Sequence, residues 1–389
     1  MLGVPDLYLD ENAVPGGADA NTTNEGGPDI DGSSSGAPGD GAPPTCNADL
    51  KTDKANCGAC GHDCTNGVCT DGVCTLADNL PSPTDLTVRG NTIYYGLQGV
   101  DGIASCPITG CASASVAPKK LTPDDAGSFQ PNRVVANDTH VYAADYYTGT
   151  ANRGRLLKVA VGGGLLERVP PAPLLERSYD VAIDGTALYW TEIQGQTSGI
   201  YACLLPNCPT AITVHAGGAP ELIAVGADGA IVWSDGDLYR CPSRANCPGD
   251  RLVQNDPPGV ANDLMIDGAT VFWGTNLGAI YSCSTAGCAN ATKILEESPK
   301  ATIGAIAANG TFLAWSIMPF NPDGNTVDDK AGVIKSCNMP KCSGADVKVL
   351  ATGQKDPAAM ALDAKSVYWA NSGKRGFVDG IGQLMKAPR

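Results

Sequence analysis

At 389 residues and 43% hydrophobic content, the chain is long enough to bury a sizeable core and to hold more than one structural unit. Its 41 Asp+Glu outnumber 26 Lys+Arg, giving a net charge of −15 that repels polyanions and anionic membrane surfaces. No basic patch offsets that field and no run of about 18 apolar residues occurs, which excludes a nucleic-acid partner and a transmembrane segment of helical type.

The chain opens without a secretory signal, because MLGVPDLYLDENAV has neither a basic start nor an apolar stretch. Sixteen cysteines in short regular pairs nevertheless call for an oxidising compartment, where such pairs become disulfides. Met1 is therefore expected to be internal to a longer product, with an upstream signal and an upstream lipobox cysteine that tethers the chain through a lipid. Residues 1–45 follow as a disordered tether: from Val14 to Thr45 the composition is Gly, Ala, Pro, Ser, Asn and Asp with almost no large apolar side chain. Such a segment cannot bury enough surface to offset its ordering entropy.

Residues 46–74 form a second region, CNADLKTDKANCGACGHDCTNGVCTDGVC, with Cys46, Cys57, Cys60, Cys64, Cys69 and Cys74 in a stretch too short for a core of its own. Three disulfides among these six are the expectation, and their connectivity stays open. A redox reading of Cys57-Gly-Ala-Cys60 lacks a surrounding βαβ pattern. A zinc site using Cys57, Cys60 and His62 conflicts with the compartment.

Residues 75–389 carry a period. The motif is an apolar pair, a turn and an apolar-aromatic ending: DVAIDGTALYW, LIAVGADGAIVW, DLMIDGATVFW, AIAANGTFLAW and AMALDAKSVYW end at Trp190, Trp233, Trp273, Trp315 and Trp369. Weaker copies end at Tyr95 and Ala143, so the steps run from 40 to 54 residues, the length of a propeller blade. Alternating β-branched residues around Asp-Gly or Asn-Gly turns make each copy a hairpin of strands A and B. Strand C then ends in cysteine, and a second cysteine opens strand D. The pairs Cys106/Cys111, Cys203/Cys208, Cys241/Cys247, Cys283/Cys288 and Cys337/Cys342 sit across a tight C–D hairpin, within disulfide reach. The second copy, which has Val159 at the first cysteine position, has lost both partners together.

The last copy ends at GQLMKAPR with strand C and no strand D, whereas Cys74 to Val88 mirrors Lys348 to Leu362. Thr75 to Leu80 thus completes the last blade and closes the ring. The expectation is an all-β, seven-bladed β-propeller of four-stranded antiparallel blades, with six or eight blades as alternatives. Identical placement of the five tryptophans in strand B marks packing between sheets.

The NCGACGxxC stretch followed by D-G-x-x-V-Y-W and I-x-x-C repeats resembles the secreted or lipid-anchored β-propeller proteins of myxobacterial type, over nearly everything after Cys46. Tyr189-Trp190-Thr191-Glu192 is similar to the repeat of YWTD and TolB-like propellers, with Glu192 in place of Asp. The resemblance implies an extracellular or outer-surface location and a fold, and carries over no catalytic residue.

Function is expected on the face that holds the D–A and B–C connections, since length variation concentrates in B–C loops at Asp145–Arg153, Ile317–Gly332 and Asn371–Gly380. Tyr146, Tyr147 and Arg153 offer an aromatic and basic platform for a sugar or peptide, and Glu192 and Asp235 follow the strand-B aromatics toward a channel mouth. Asn321, Asp323, Asn325 and Asp328 alternate as calcium ligands do, although Gly332 stands where a bidentate Glu is needed. His62, His140 and His215 are scattered, and no G-x-S-x-G or phosphate loop exists. These features favour a non-enzymatic, monomeric binding or recognition propeller for an extracellular protein or glycan. A propeller lyase or hydrolase with its site at the channel mouth and a structural envelope protein are the alternatives; the enzyme requires convergent ionisable groups with shifted pKa in the funnel.

Overall fold

The computed structural model describes residues 46–98, 102–123, 130–146, 155–170, 178–193, 198–245, 247–297, 301–319, 332–373 and 382–389. Seven sheets of four antiparallel strands stand in a ring, with no α-helix among the described residues. The innermost strands A are Pro83–Arg89, Pro131–Ala136, Ser178–Ile183, Leu222–Val225, Ala261–Asp267, Ala301–Asn309 and Pro357–Leu362. Each touches the next, and the seventh touches the first. Blade 3 shows the common plan: Ser178–Ile183, Ala187–Glu192, Gly199–Leu204 and Ile212–Ala216 pair in sequence order.

Two sequence features explain why the blades pack. Each strand-B tryptophan is buried, at 0% exposure for Trp190, Trp315 and Trp369 and 2% for Trp233 and Trp273, so each fills the space between neighbouring sheets. The residue that follows is small in every copy: Gly96, Ala144, Thr191, Ser234, Gly274, Ser316 and Ala370. The reason is visible at Gly274, where an added Cβ would lie 2.3 Å from Ile303 Cγ2 in the next blade. The A–B turns are tied down in turn. Asp184 accepts the N–H groups of Thr186 and Ala187 at 2.8 Å and the Tyr189 hydroxyl at 2.7 Å, and Asp363 does the same for Tyr368 at 2.6 Å.

The ring closes with chain-start residues. Val73–Leu80 pairs antiparallel with Gly382–Pro388, so the last blade takes its outermost strand from the beginning of the propeller, and Val68–Thr70 adds a fifth strand beside it. All sixteen cysteines are joined. The hairpins carry Cys106–Cys111, Cys203–Cys208, Cys241–Cys247, Cys283–Cys288 and Cys337–Cys342. Two of these hairpins reach back to the preceding blade: the Cys111 N–H donates to Leu76 O at 2.7 Å and the Cys288 N–H to Leu252 O at 2.9 Å. A staple that fixes the hairpin therefore also fixes an inter-blade hydrogen bond.

The six remaining cysteines pair as Cys46–Cys60, Cys57–Cys69 and Cys64–Cys74. This segment belongs to the same compact unit as the propeller. It sits across the seam of blades 7 and 1: His62 Nε2 lies 3.1 Å from Ser366 Oγ, and Lys386 Nζ donates to Asp63 O at 2.8 Å and Ile108 O at 3.2 Å. Burial, and then the Lys386 charge, push the His62 imidazole down to about 4, so it is neutral in this contact.

Candidate functional site

The centre of the ring is built by an irregularity in strand A. In six of the seven blades the A–B register shifts just before the apolar pair, between Pro83 and Asp85, Pro131 and Arg133, Ser178 and Val181, Ala261 and Asp263, Ile303 and Ile306, and Pro357 and Ala359. A bulge of this kind re-aims the side chains beside it. Here it presents Thr84 and Asp85, Asn132 and Arg133, Tyr179 and Asp180, Asn262 and Asp263, Gly304 and Ala305, and Ala358 and Ala359. Blade 4 has a regular strand, with Glu221 and Leu222 at this level.

These residues stitch one blade to the next. Asp85 Oδ2 accepts the Val134 N–H at 2.7 Å, Asp180 Oδ2 the Ile223 N–H at 2.9 Å and Asp263 Oδ2 the Ile306 N–H at 2.9 Å. Asn132 Nδ2 donates to Tyr179 O at 2.8 Å and Asn262 Nδ2 to Ile303 O at 3.2 Å, while Thr84 Oγ1 donates to Pro131 O. In blade 6, where Gly304 has no side chain to donate, Ser316 Oγ donates to Pro357 O at 2.9 Å.

Arg133 crosses the hub. Its Nη2 donates to Asp263 Oδ1 at 2.9 Å, Nη1 lies 3.5 Å from Asp85 Oδ1 and Nε 3.9 Å from Asp180 Oδ1. One guanidinium from blade 2 thus meets carboxylates of blades 1, 3 and 5. Burial pushes Asp85 up to about 7 and Asp180 up to about 6, against the opposing pull of Arg133 and of the backbone N–H groups they accept. Burial alone would lower Arg133, and Asp263, Asp180 and Asp85 reverse this, so the guanidinium stays above its ordinary value.

Above the Arg133 spoke, on the face of the D–A and B–C connections, lies a cavity of about 590 Å³. Hydroxyls and amides dominate its wall: Ser82, Thr84, Gln98, Asn132, Asn262, Asn276, Thr302 and Ser372, with Tyr179, Glu221, Asp356 and Arg133. Gly304 and Ala358 of blades 6 and 7 line it too, and their small size leaves the space. The Tyr179 phenol is pushed up by burial and then by the Glu221 charge, and the Tyr146 ring braces it edge-on at 5.3 Å between centroids.

Tyr146 therefore reaches the site through Tyr179. Glu192, at the end of strand B in blade 3, is fully buried and accepts the Ser178 hydroxyl at 2.8 Å; it does not line the cavity. Asp235, at the equivalent place in blade 4, also stands outside the lining, beside Gly218. Tyr147, Arg153, Asn321, Asp323, Asn325 and Asp328 lie outside the described residues. Among the described residues no three His, Cys, Asp or Glu side chains are arranged to hold a metal ion. Sequence reasoning missed the strand-A residues. The available signal was a polar residue directly before the apolar pair, Asp85, Arg133, Asp180 and Asp263, where alternation alone requires none.

No protein-family model matches the chain, and no curated protein matches it either. Solved structures share its fold. The extracellular domain of a putative hybrid two-component system from B. thetaiotaomicron superposes with a TM-score of 0.55 at 12% identity, over 80% of this chain and 38% of that one. U3-55K gives 0.56 at 11% identity, over 82% and 98%. PorZ, a surface component of the type-IX secretion system of Porphyromonas gingivalis, gives 0.51 at 12% identity, over 80% and 39%. At these identities the likeness is one of fold. No helix among the described residues is long and apolar enough to cross a membrane.

Proposed function

We propose that the chain is an extracellular recognition module that holds its ligand in the funnel above Arg133. The supporting observation is the polar cavity itself: its size falls in the range of small-ligand sites, and its groups come from separate blades held by a stapled ring. Eight disulfides fit an oxidising location, as does the resemblance to secreted or lipid-anchored propellers of myxobacterial type. The raised carboxylates Asp85 and Asp180 are the feature that favours an enzyme. Yet each gives one oxygen to the backbone of the next blade and turns the other to Arg133, and neither lines the cavity. They act as hub staples, and the funnel is left with binding groups.

The test is a glycan array probed with the full chain and with Ala358→Trp, which places an indole in the funnel. The expected result is array binding by the parent that the variant loses at an unchanged melting temperature. Binding that survives Ala358→Trp would remove the funnel from the reading.

A further inference from the structure

The groups left free in the funnel specify the chemistry of its ligand. Asn132 and Asn262 donate their amide nitrogens to Tyr179 O and Ile303 O, which can only accept. That fixes both amides and leaves each Oδ1 as an unused acceptor. Glu221 is exposed and lines the cavity with a carboxylate that forms no hydrogen bond or ion pair with a described residue. Ser82, 1% exposed, adds a hydroxyl to the wall. Arg133 is the one cation in the described lining, and three carboxylates already surround it. Asp356 adds a further negative charge at the wall. The funnel is electronegative and offers both unused amide oxygens and free amide N–H groups, among them those of Asn276, whose Oδ1 accepts the Val260 N–H, so it suits a positively charged ligand that both donates and accepts hydrogen bonds.

We infer that the ligand is an oligosaccharide with unacetylated amino groups; this rests on the funnel reading above. A protonated amine pairs with Glu221, sugar hydroxyls donate to Asn132 Oδ1, Asn262 Oδ1 and Ser82, and Tyr179 adds an aromatic side chain to the wall. A bare polyamine supplies charge and N–H donors but no acceptor for the free amide N–H groups of the lining. An acetylated sugar supplies hydroxyls but loses the charge.

Calorimetric titration of the full chain with a glucosamine trimer, its fully N-acetylated counterpart and spermidine tests this. The glucosamine trimer is expected to bind at least tenfold tighter than either other probe. Glu221→Gln is expected to weaken that binding about tenfold, the scale of one charge-assisted hydrogen bond. It should weaken the acetylated trimer far less than the glucosamine trimer, whereas general damage to the fold lowers both alike. Acetylated trimer or spermidine binding as tightly as the glucosamine trimer overturns the inference, as does a glucosamine trimer that fails to bind. If a neutral sugar binds and Ala358→Trp abolishes it, the funnel reading stands and only the amine claim falls. If the glucosamine trimer binds equally to Ala358→Trp, both fall.

Discussion

Arg133→Met tests the hub most directly, because it keeps an apolar stem and removes the single charge that three aspartates share. Removing one partner of a buried ion pair costs about 3–5 kcal/mol, chiefly by leaving the other charge uncompensated. That cost depends on protonation. In the folded protein Asp85 and Asp180 hold protons up to about 7 and about 6, and in the unfolded chain only to about 3.9. Between those values the folded state binds more protons, so this contribution is complete below about pH 4 and lost as the pH rises through 6 and 7. Without Arg133 both values climb further, and at pH 5 the two acids are neutral. The contribution of Asp85 and Asp180 then drops out, and what remains is lost packing and the charge-assisted hydrogen bond to Asp263, about 1.5–3 kcal/mol. Urea unfolding midpoints at pH 8 and pH 5 read the difference: a large loss at pH 8 and a smaller one at pH 5, with Arg133→Lys between. Equal losses at the two pH values, or a loss under about 1 kcal/mol at pH 8, would refute the electrostatic account of the hub.

Three further outcomes follow from the packing. His62 is held neutral in its contact with Ser366, so its contribution is present above its unfolded value near 6.5 and lost as pH falls toward about 4. That loss is on the order of 3 kcal/mol, and His62→Gln should flatten the stability curve between those pH values. Gly274→Ala sets a methyl against Ile303 of the neighbouring blade and should cost about 1–3 kcal/mol in thermal or urea unfolding. Replacing Cys283 and Cys288 together by Ala opens a short loop worth about 2 kcal/mol. It should also speed hydrogen exchange at the Cys288 N–H that bonds Leu252, and non-reducing digestion of the parent should release every hairpin bond within its own blade.

The blades were legible because they repeat a physical problem. Each buries one face against the next, so an aromatic at 190, 233, 273, 315 and 369 and a small residue after it recur wherever that problem is solved the same way. The early copies were weaker because the solution differs: at Ala143 the tryptophan is missing, and in that blade Tyr142 at 1% exposure and Leu157 at 2% are part of the buried core. Ring closure was legible too, since the last copy lacked a strand that the chain start supplied. The seat of the Cys-rich segment was not. Its anchors, Ser366, Lys386 and Ile108, are ordinary residues of two blades that become neighbours only once the ring closes.

The hub escaped for a related reason. Arg133 and Asp263 are 130 residues apart and belong to non-adjacent blades, so no local motif contains both. Nor does alternation point to them, because the bulge shifts register by one residue and moves a side chain from the sheet face to the channel. Blade 4 is the internal control: its strand A is regular, Leu222 is buried, and Glu221 is the charged residue it brings to the cavity. Glu192 and Asp235 drew notice as acids at the ends of strands B, on the correct side of the ring but one strand too far out. The same geometry explains why a cavity exists at all. Blades 1, 2, 3 and 5 fill the axis with polar side chains, while Gly304, Ala305, Ala358 and Ala359 of blades 6 and 7 supply almost none. The funnel occupies the volume that Gly304 and Ala358 leave open, so enlarging Ala358 should close it, whereas removing Arg133 should destabilise the ring around it.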